Sequence, residues 1–164
     1  MIIEYATTEF GVRAPDRGNP SDAGLDIYAN LKEATSIEPG QNKMISTGLK
    51  FGIPHGYMLQ VCNRSSMGAK RSLVVGAHII DSGYDGEVFI DLHNIGSETQ
   101  SINNGDKIAQ LILVPVVHFR ARKTNPLNLY GGQYITISER GDGALGSTDK
   151  KALHPLSGVP GGGF

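Results

Sequence analysis

Four polar clusters in this chain could do chemistry on an anion. Asn63-Arg-Ser-Ser-Met-Gly68 joins one arginine to two hydroxyls, where an apolar run gives way to a possible helix. Arginine, hydroxyls and backbone amides at such a junction suit a phosphate. Arg140 and the following Gly141-Asp-Gly-Ala-Leu-Gly-Ser-Thr148 form a second cluster of the same kind. Between them, Ile80-Asp-Ser-Gly-Tyr-Asp-Gly86 places carboxylates in a glycine-rich turn. Ser21-Asp-Ala-Gly-Leu-Asp26 supplies two more. Two anion-holding clusters beside a carboxylate turn point to phosphate chemistry with a carboxylate base. Asp22 and Asp26 are candidates for magnesium, which in phosphate enzymes often takes only one or two carboxylates, sometimes through water.

Other chemistries are missing. The chain has no G-x-x-x-x-G-K-[ST] loop, G-x-S-x-G elbow, H-E-x-x-H or paired C-x-x-C. Its five histidines, at 55, 78, 93, 118 and 154, lack zinc-ligand spacing. The single cysteine, Cys62, makes no internal disulfide and reads as a core residue of an apolar strand. A formal charge of −1 gives no overall field for nucleic acid, so an anionic ligand must be held by a few placed groups. The longest apolar run, Leu111 to Val117, is broken by Pro115 and is far short of the roughly 20 residues of a membrane helix. The N-terminal MIIEYATTEF has no basic region followed by an apolar core, so a cytoplasmic protein is expected rather than a secreted one.

The elements that must position these groups are short strands. A length of 164 residues fits one domain, and 22 glycines with 8 prolines leave little room for long helices. Strands are expected at Ile2–Tyr5, Leu25–Tyr28, Lys43–Ser46, Leu49–Ile53, Tyr57–Cys62, Leu73–Val75, Glu87–His93, Lys107–Val114 and Tyr134–Ser138. Turn signals such as Glu38-Pro-Gly-Gln41, Ile53-Pro-His-Gly56 and Asn103-Asn-Gly-Asp106 separate them, the pattern of an all-β sandwich or barrel. Val88, Ile90 and Leu92 alternate with Glu87, Phe89, Asp91 and His93, so the two sets face opposite sides. Ser65 to Arg71 suits one or two helical turns. From Arg140 onward apolar density drops, which by composition alone reads as a frayed terminus.

Taken in order, the clusters resemble the five motifs of the dUTP diphosphatase (dUTPase) family. They are Asp22-Ala-Gly-Leu-Asp26, Arg64-Ser-Ser-Met-Gly68, Gly76-Ala-His-Ile-Ile-Asp-Ser-Gly-Tyr-Asp-Gly86, Gly105-Asp-Lys-Ile-Ala-Gln-Leu-Ile112 and Arg140-Gly-Asp-Gly-Ala-Leu-Gly-Ser-Thr148. The resemblance implies a distorted jelly-roll β-barrel or sandwich, residues 1–139, followed by a flexible C-terminal arm and tail, residues 140–164. It implies a homotrimer with sites at subunit interfaces. The implied reaction is hydrolysis of dUTP to dUMP and pyrophosphate, which lowers dUTP and supplies dUMP for thymidylate synthesis.

Roles follow from the same resemblance. Asp81 would position and deprotonate the water that attacks the α-phosphorus. Mg2+ would bridge the phosphates, with Asp26 holding a metal-bound water. Arg64, Ser65, Ser66 and Gln110 would contact phosphate oxygens. Tyr84 would pack on the deoxyribose and leave no room for a 2′-hydroxyl. Arg140, Ser147 and Thr148 would arrive with the arm at the γ-phosphate, and Gly76, Ala77, Leu145 and Gly146 complete the substrate-binding set. The leaving pyrophosphate gains negative charge, which cations and N–H donors stabilise most in the transition state.

Two departures and one second likeness accompany this reading. Ser66 replaces the usual glycine of the second motif, and Leu145 stands where the family carries a base-stacking phenylalanine. Ala77-His78, Ile80-Asp81 and the later Asp91 resemble dCTP deaminase, which keeps a cytosine deaminase or a bifunctional deaminase–diphosphatase as an alternative. Against that alternative, Ala69 falls where that family carries an arginine. A non-catalytic nucleotide-binding homologue is a third reading, which the presence of Asp81 disfavours.

Overall fold

The computed structural model describes residues 1–132. Eleven strands and one short helix are found there: β1 (Glu4–Thr7), β2 (Leu25–Tyr28), β3 (Thr35–Ile37), β4 (Asn42–Ser46), β5 (Leu49–Gly52), β6 (Tyr57–Cys62), α1 (Ser65–Arg71), β7 (Leu73–Val75), β8 (Ile79–Asp81), β9 (Phe89–Asn94), β10 (Gln100–Ile102) and β11 (Lys107–Pro115). The fold is all-β and jelly-roll-like. Its strands pair antiparallel in four small sheets, ordered β1-β5, β10-β3, β2-β11-β6-β8 and β4-β9-β7. Met1–Phe119 is one compact unit. A separate unit begins at Arg120, and its described part carries 3-10 turns within Pro126–Gly132, interrupted by non-helical backbone at Leu129, Tyr130 and Gly131. The expected boundary at 139/140 and the expected strand Tyr134–Ser138 lie outside the described residues.

Alternation decides what is buried. Val88, Ile90 and Leu92 sit in the core, while Phe89 between them is 44% exposed. Ile27, Ile45, Leu49, Leu73, Ile102 and Ile108 join them in one apolar cluster. Each such side chain contributes about 1.5–3 kcal/mol when taken from water. The polar groups inside are satisfied. Asn94 donates to the carbonyls of Ile37 and Glu98, both at 2.8 Å, and Thr47 donates to that of Val88 at 2.6 Å. No buried side-chain nitrogen or oxygen among the described residues lacks a partner.

Two expected strands shift along the chain. The first begins at Glu4 rather than Ile2, because it forms only where Glu4–Thr7 meets Leu49–Gly52. The β9 ladder begins at Phe89, because the Glu87 carboxylate is drawn to Ser46 and Gly48. β3, β8 and β10 were not expected from the sequence. Each has three residues, too few to express an alternation, and exists through its long-range partner.

Candidate active site

A polar cavity of about 400 Å3 opens at one edge of the four-stranded sheet, lined by Asp22, Asp26, Arg64, Ser65, Lys107 and Gln110, among others. Register explains the assembly. Asp26 of β2 lies opposite Gln110 of β11, which lies opposite Cys62 of β6. Residues directly opposite one another share a face of the sheet. Two residues past Cys62 the chain leaves β6 through Arg64 and enters α1 at Ser65. Gly24 lets β2 enter close to Gln110, since a Cβ there would lie 2.9 Å from its Oε1. Gln110 in turn donates Nε2 to the Asn63 carbonyl at 2.9 Å.

Charge in this cavity is paired. Arg64 Nε donates to Asp26 Oδ1 at 2.8 Å, and Lys107 Nζ donates to Oδ2 at 2.7 Å. The Asp26 side chain is 15% exposed. Behind it, Tyr28 Oη donates to Asp16 Oδ1 at 2.7 Å, Asp16 lies 3.6 Å from Lys107 Nζ, and the Arg13 guanidinium sits 3.7 Å over the Tyr28 ring. The bond to Asp26 raises the pKa of Lys107, with Tyr28 adding to the effect. The Tyr28 hydroxyl lowers that of Asp16, while burial raises that of Tyr28.

Each Asp26 oxygen takes one cationic donor and keeps a lone pair for a water. Among the described residues no group of three or more His, Cys, Asp or Glu could hold a metal ion. Such a donor set fits a cation that arrives bound to phosphates, and does not cage one by itself.

A second hollow, about 190 Å3, lies beside β8 and is lined by Asp81, Tyr84, Ile79, Met44 and Glu87, among others. Asp81 ends β8, and a tight turn follows in which Tyr84 N–H donates to the Asp81 carbonyl at 3.2 Å. Gly83 has φ +87°, a conformation that suits glycine at the third position of such a turn. Ser82 Oγ pins the turn to the Ile53 carbonyl at 3.0 Å. Asp81 and Tyr84 are both exposed. Before β8, His78 donates Nδ1–H to the Val61 carbonyl at 3.0 Å, and Val61 N–H donates to that of His78 at 2.8 Å.

The site residues expected from the sequence therefore fall in two places. Asp26, Arg64, Ser65 and Gln110 come together in the first cavity, and Asp81 and Tyr84 in the second hollow. Ser66 is half-buried in the first turn of α1 and does not line the first cavity. Gly76 and Ala77 are exposed in the connection from β7 to β8. Arg140, Leu145, Gly146, Ser147 and Thr148 lie outside the described residues. Lys107, a residue of the fourth motif with no expected role, joins Asp26, Arg64, Ser65 and Gln110 in the first cavity; its signal is its place just after the Asn103–Asp106 turn, opposite Tyr28. Asp16, Tyr28 and Arg13 carried no sequence signal.

Asp91, the residue behind the cytosine alternative, is fully engaged. Asn42 Nδ2 and His93 Nε2 each reach its carboxylate at 2.8 Å. The Asn42 bond and then His93 lower its pKa against the opposing effect of burial. It is a structural carboxylate of the β4-β9-β7 sheet.

An all-β frame with a polar cavity at one sheet edge, where Arg64 and Lys107 flank Asp26, and with Asp81, exposed and without a side-chain partner among the described residues, at the other defines a class, β-proteins with the polar groups for an anionic ligand. Relatives make the class specific. The dUTPase family model matches residues 11–148. A deoxyuridine 5'-triphosphate nucleotidohydrolase of Anaplasma marginale is 34% identical over 141 residues, covering 85% of this chain and 90% of the relative. Another of the same name, from Bdellovibrio bacteriovorus, is 38% identical over 130 residues, covering 78% and 82%. The dUTPase of Staphylococcus bacteriophage 80alpha, solved with dUpNHpp, superposes with a TM-score of 0.76 at 25% identity, covering 90% of this chain and 98% of its own. That of the S. aureus phage phi11, in which a structural Mg(II) ion is coordinated, gives 0.69 at 27%, covering 76% and 97%. The chain belongs to the dUTPase family. No helix among the described residues is long and apolar enough to cross a membrane.

Proposed function

We propose that this chain hydrolyses dUTP to dUMP and pyrophosphate at sites assembled from several copies of itself in a homotrimer. One observation carries the multi-copy part. Asp26 and Asp81 lie on β2 and β8, the two opposite edges of the four-stranded sheet. Three strand spacings separate those edges, about 14 Å. Their rows are also offset, since Asp81 pairs with Met58 and Gln110 with Cys62 on β6. A general base must stand within hydrogen-bond reach of the proton it takes, directly or through one water. A second copy supplying its Asp81 edge to the first copy's cavity meets that requirement.

In this reading Arg64, Ser65 and Gln110 bind phosphate oxygens, and Ser66 supports them from the helix. Asp81 takes a proton from the attacking water as its oxygen bonds to the α-phosphorus and the bond to the pyrophosphate oxygen breaks. Tyr84 covers the deoxyribose, and Gly76 and Ala77 face the base. Arg140, Leu145, Gly146, Ser147 and Thr148 close the site from the C-terminal arm, residues 140–164, and the family match through residue 148 supports counting them with it. Asp26 would hold a water of a bound Mg2+, which supplies charge neutralisation on the phosphates. The substrate is a nucleotide of the cell interior, which supports an intracellular site of action, in the cytoplasm or the nucleus.

The test is product analysis with complementation. With Mg2+, dUTP yields dUMP and pyrophosphate, and dCTP yields no uracil nucleotide. Asp81→Asn and Arg64→Ala chains are each inactive alone. Mixed after unfolding and refolded together, they regain about a quarter of the wild-type sites by random assortment. No regain, with both variants trimeric by light scattering, would place the base and the phosphate cavity of each site on one copy.

A further inference from the structure

Gly86 does not need glycine for its backbone, because its φ lies outside the left-handed region. The space that a Cβ would occupy is filled by the Tyr84 ring. A methyl there would overlap Oη and Cζ and come to 2.9 Å from Cε2. The ring is held in that seat by its hydroxyl, which donates to the Glu87 carbonyl at 2.9 Å. Glu87 is fixed in its turn. Its carboxylate accepts Ser46 Oγ at 2.5 Å and Gly48 N–H at 2.9 Å. The next residue, Val88, donates its N–H to the Leu49 carbonyl at 2.8 Å.

We propose that Gly86 and Glu87 form a cradle that sets the position of the Tyr84 ring and, through it, the preference for deoxyribose over ribose. This rests on the reading in which Tyr84 covers the sugar. Gly86 and Glu87 are positioning residues, acting through Tyr84. Excluding a single hydroxyl requires the covering ring to be placed to a fraction of an ångström, and a displacement of about 1 Å can cost about 10²-fold. With alanine at 86 the ring must leave its seat and give up the bond to Glu87. The collision is with a side chain that can rotate, so the fold survives while the ring moves.

The experiment uses the full-length wild type, Gly86→Ala, Tyr84→Ala and the double variant, each assayed with dUTP and with UTP in Mg2+, with Tm recorded. Gly86→Ala is expected to lower the ratio of kcat/KM for dUTP over UTP by about tenfold or more. In the Tyr84→Ala background the same substitution should change the ratio less than about twofold, since residues acting through one another are not additive. A ratio unchanged by Gly86→Ala but collapsed by Tyr84→Ala would overturn the cradle and leave the Tyr84 assignment standing. An undiminished effect in the Tyr84→Ala background would overturn it as well. Wild-type protein that takes UTP as readily as dUTP would overturn the Tyr84 reading and the cradle with it. If Gly86→Ala alone fails to fold, recovery of the wild-type Tm in the double variant supports the collision, and continued failure overturns it.

Discussion

Asp26 and Asp81 are carboxylates on the two edge strands of one sheet, yet their surroundings are opposite. Both oxygens of Asp26 are taken by cations, from Arg64 and Lys107, and Lys107 is steadied by Tyr28 and Asp16 behind it. Asp81 is exposed, and among the described residues its carboxylate has no side-chain partner. Among the described residues it is tied through its backbone, by the turn to Tyr84 and by its pairing with Met58 of β6. A carboxylate held between two cationic donors is fixed in place, with a lone pair on each oxygen left to hold a water. One left open at a sheet edge is free to meet a water. The contrast supports the proposed division of labour, holding for Asp26 and proton transfer for Asp81.

The sharpest way to break that contrast is to remove the free carboxylate. Asp81→Asn keeps the shape of the side chain and loses its basicity. Turnover is expected to fall roughly 10²–10⁴-fold, with Tm unchanged and a non-hydrolysable dUTP analogue still bound. Near-normal turnover would mean that another group is the base.

The next largest effect is expected from the arm. Removing residues 140–164 deletes Arg140, Ser147 and Thr148, three donors proposed for the phosphate end. Loss of one oriented donor typically costs about 10²–10³-fold in turnover, so a drop of at least that size is expected. The trimer should persist and Tm should barely move. Dissociation into monomers on light scattering would make the arm an assembly element instead.

Asp26→Asn probes the paired edge. Arg64 and Lys107 lose the negative charge between them, and the water-holding oxygen loses its strength as an acceptor. Outer-sphere partners of this kind typically change metal affinity or activity about 10–100-fold. The Mg2+ concentration for half-maximal turnover should rise by that order, while Asp81→Asn should leave it unchanged. If both variants shift it equally, the two carboxylates do not divide the work as argued.

Sequence reasoning reached one edge more fully than the other. β2 and β6 have their expected bounds because their patterning and flanking turns are local, and three-residue β7 has them as an apolar Leu-Val-Val run closed by Gly76. Asp81 was legible as a carboxylate of a glycine-rich turn, while its role as base and that of Tyr84 on the sugar came from the resemblance of the third motif. The pairing of Asp26 with Lys107 was not legible, since 81 residues separate them and only the β2–β11 register brings them together. The same holds for the row Asp26, Gln110, Cys62. β8 itself was missed, although it carries Asp81, because three residues paired to β6 leave no periodic trace.

The smallest expected effect concerns a third carboxylate, away from both edges. Asp91 lies in β9 with Asn42 and His93 on its oxygens, and these bonds hold its pKa below the ordinary aspartate value. A carboxylate depressed in the folded state stabilises the protein above its unfolded pKa, near 3.9. That stabilisation fades as pH falls through the lower folded value. Asp91→Asn removes the charge and keeps the shape. Near neutral pH the variant should be less stable by about 1 kcal/mol, the scale of one net hydrogen bond, or about 2–4 °C in Tm. Near pH 3 the gap should narrow, because the wild-type carboxylate is then losing its charge as well. Turnover of dUTP should be unaffected, and no uracil nucleotide should form from dCTP with either protein. Wild-type deamination of dCTP, abolished in Asp91→Asn, would show that a carboxylate this well bonded still reaches a substrate base. It would also break the rule drawn from Asp26 and Asp81, that engaged carboxylates hold and open ones react.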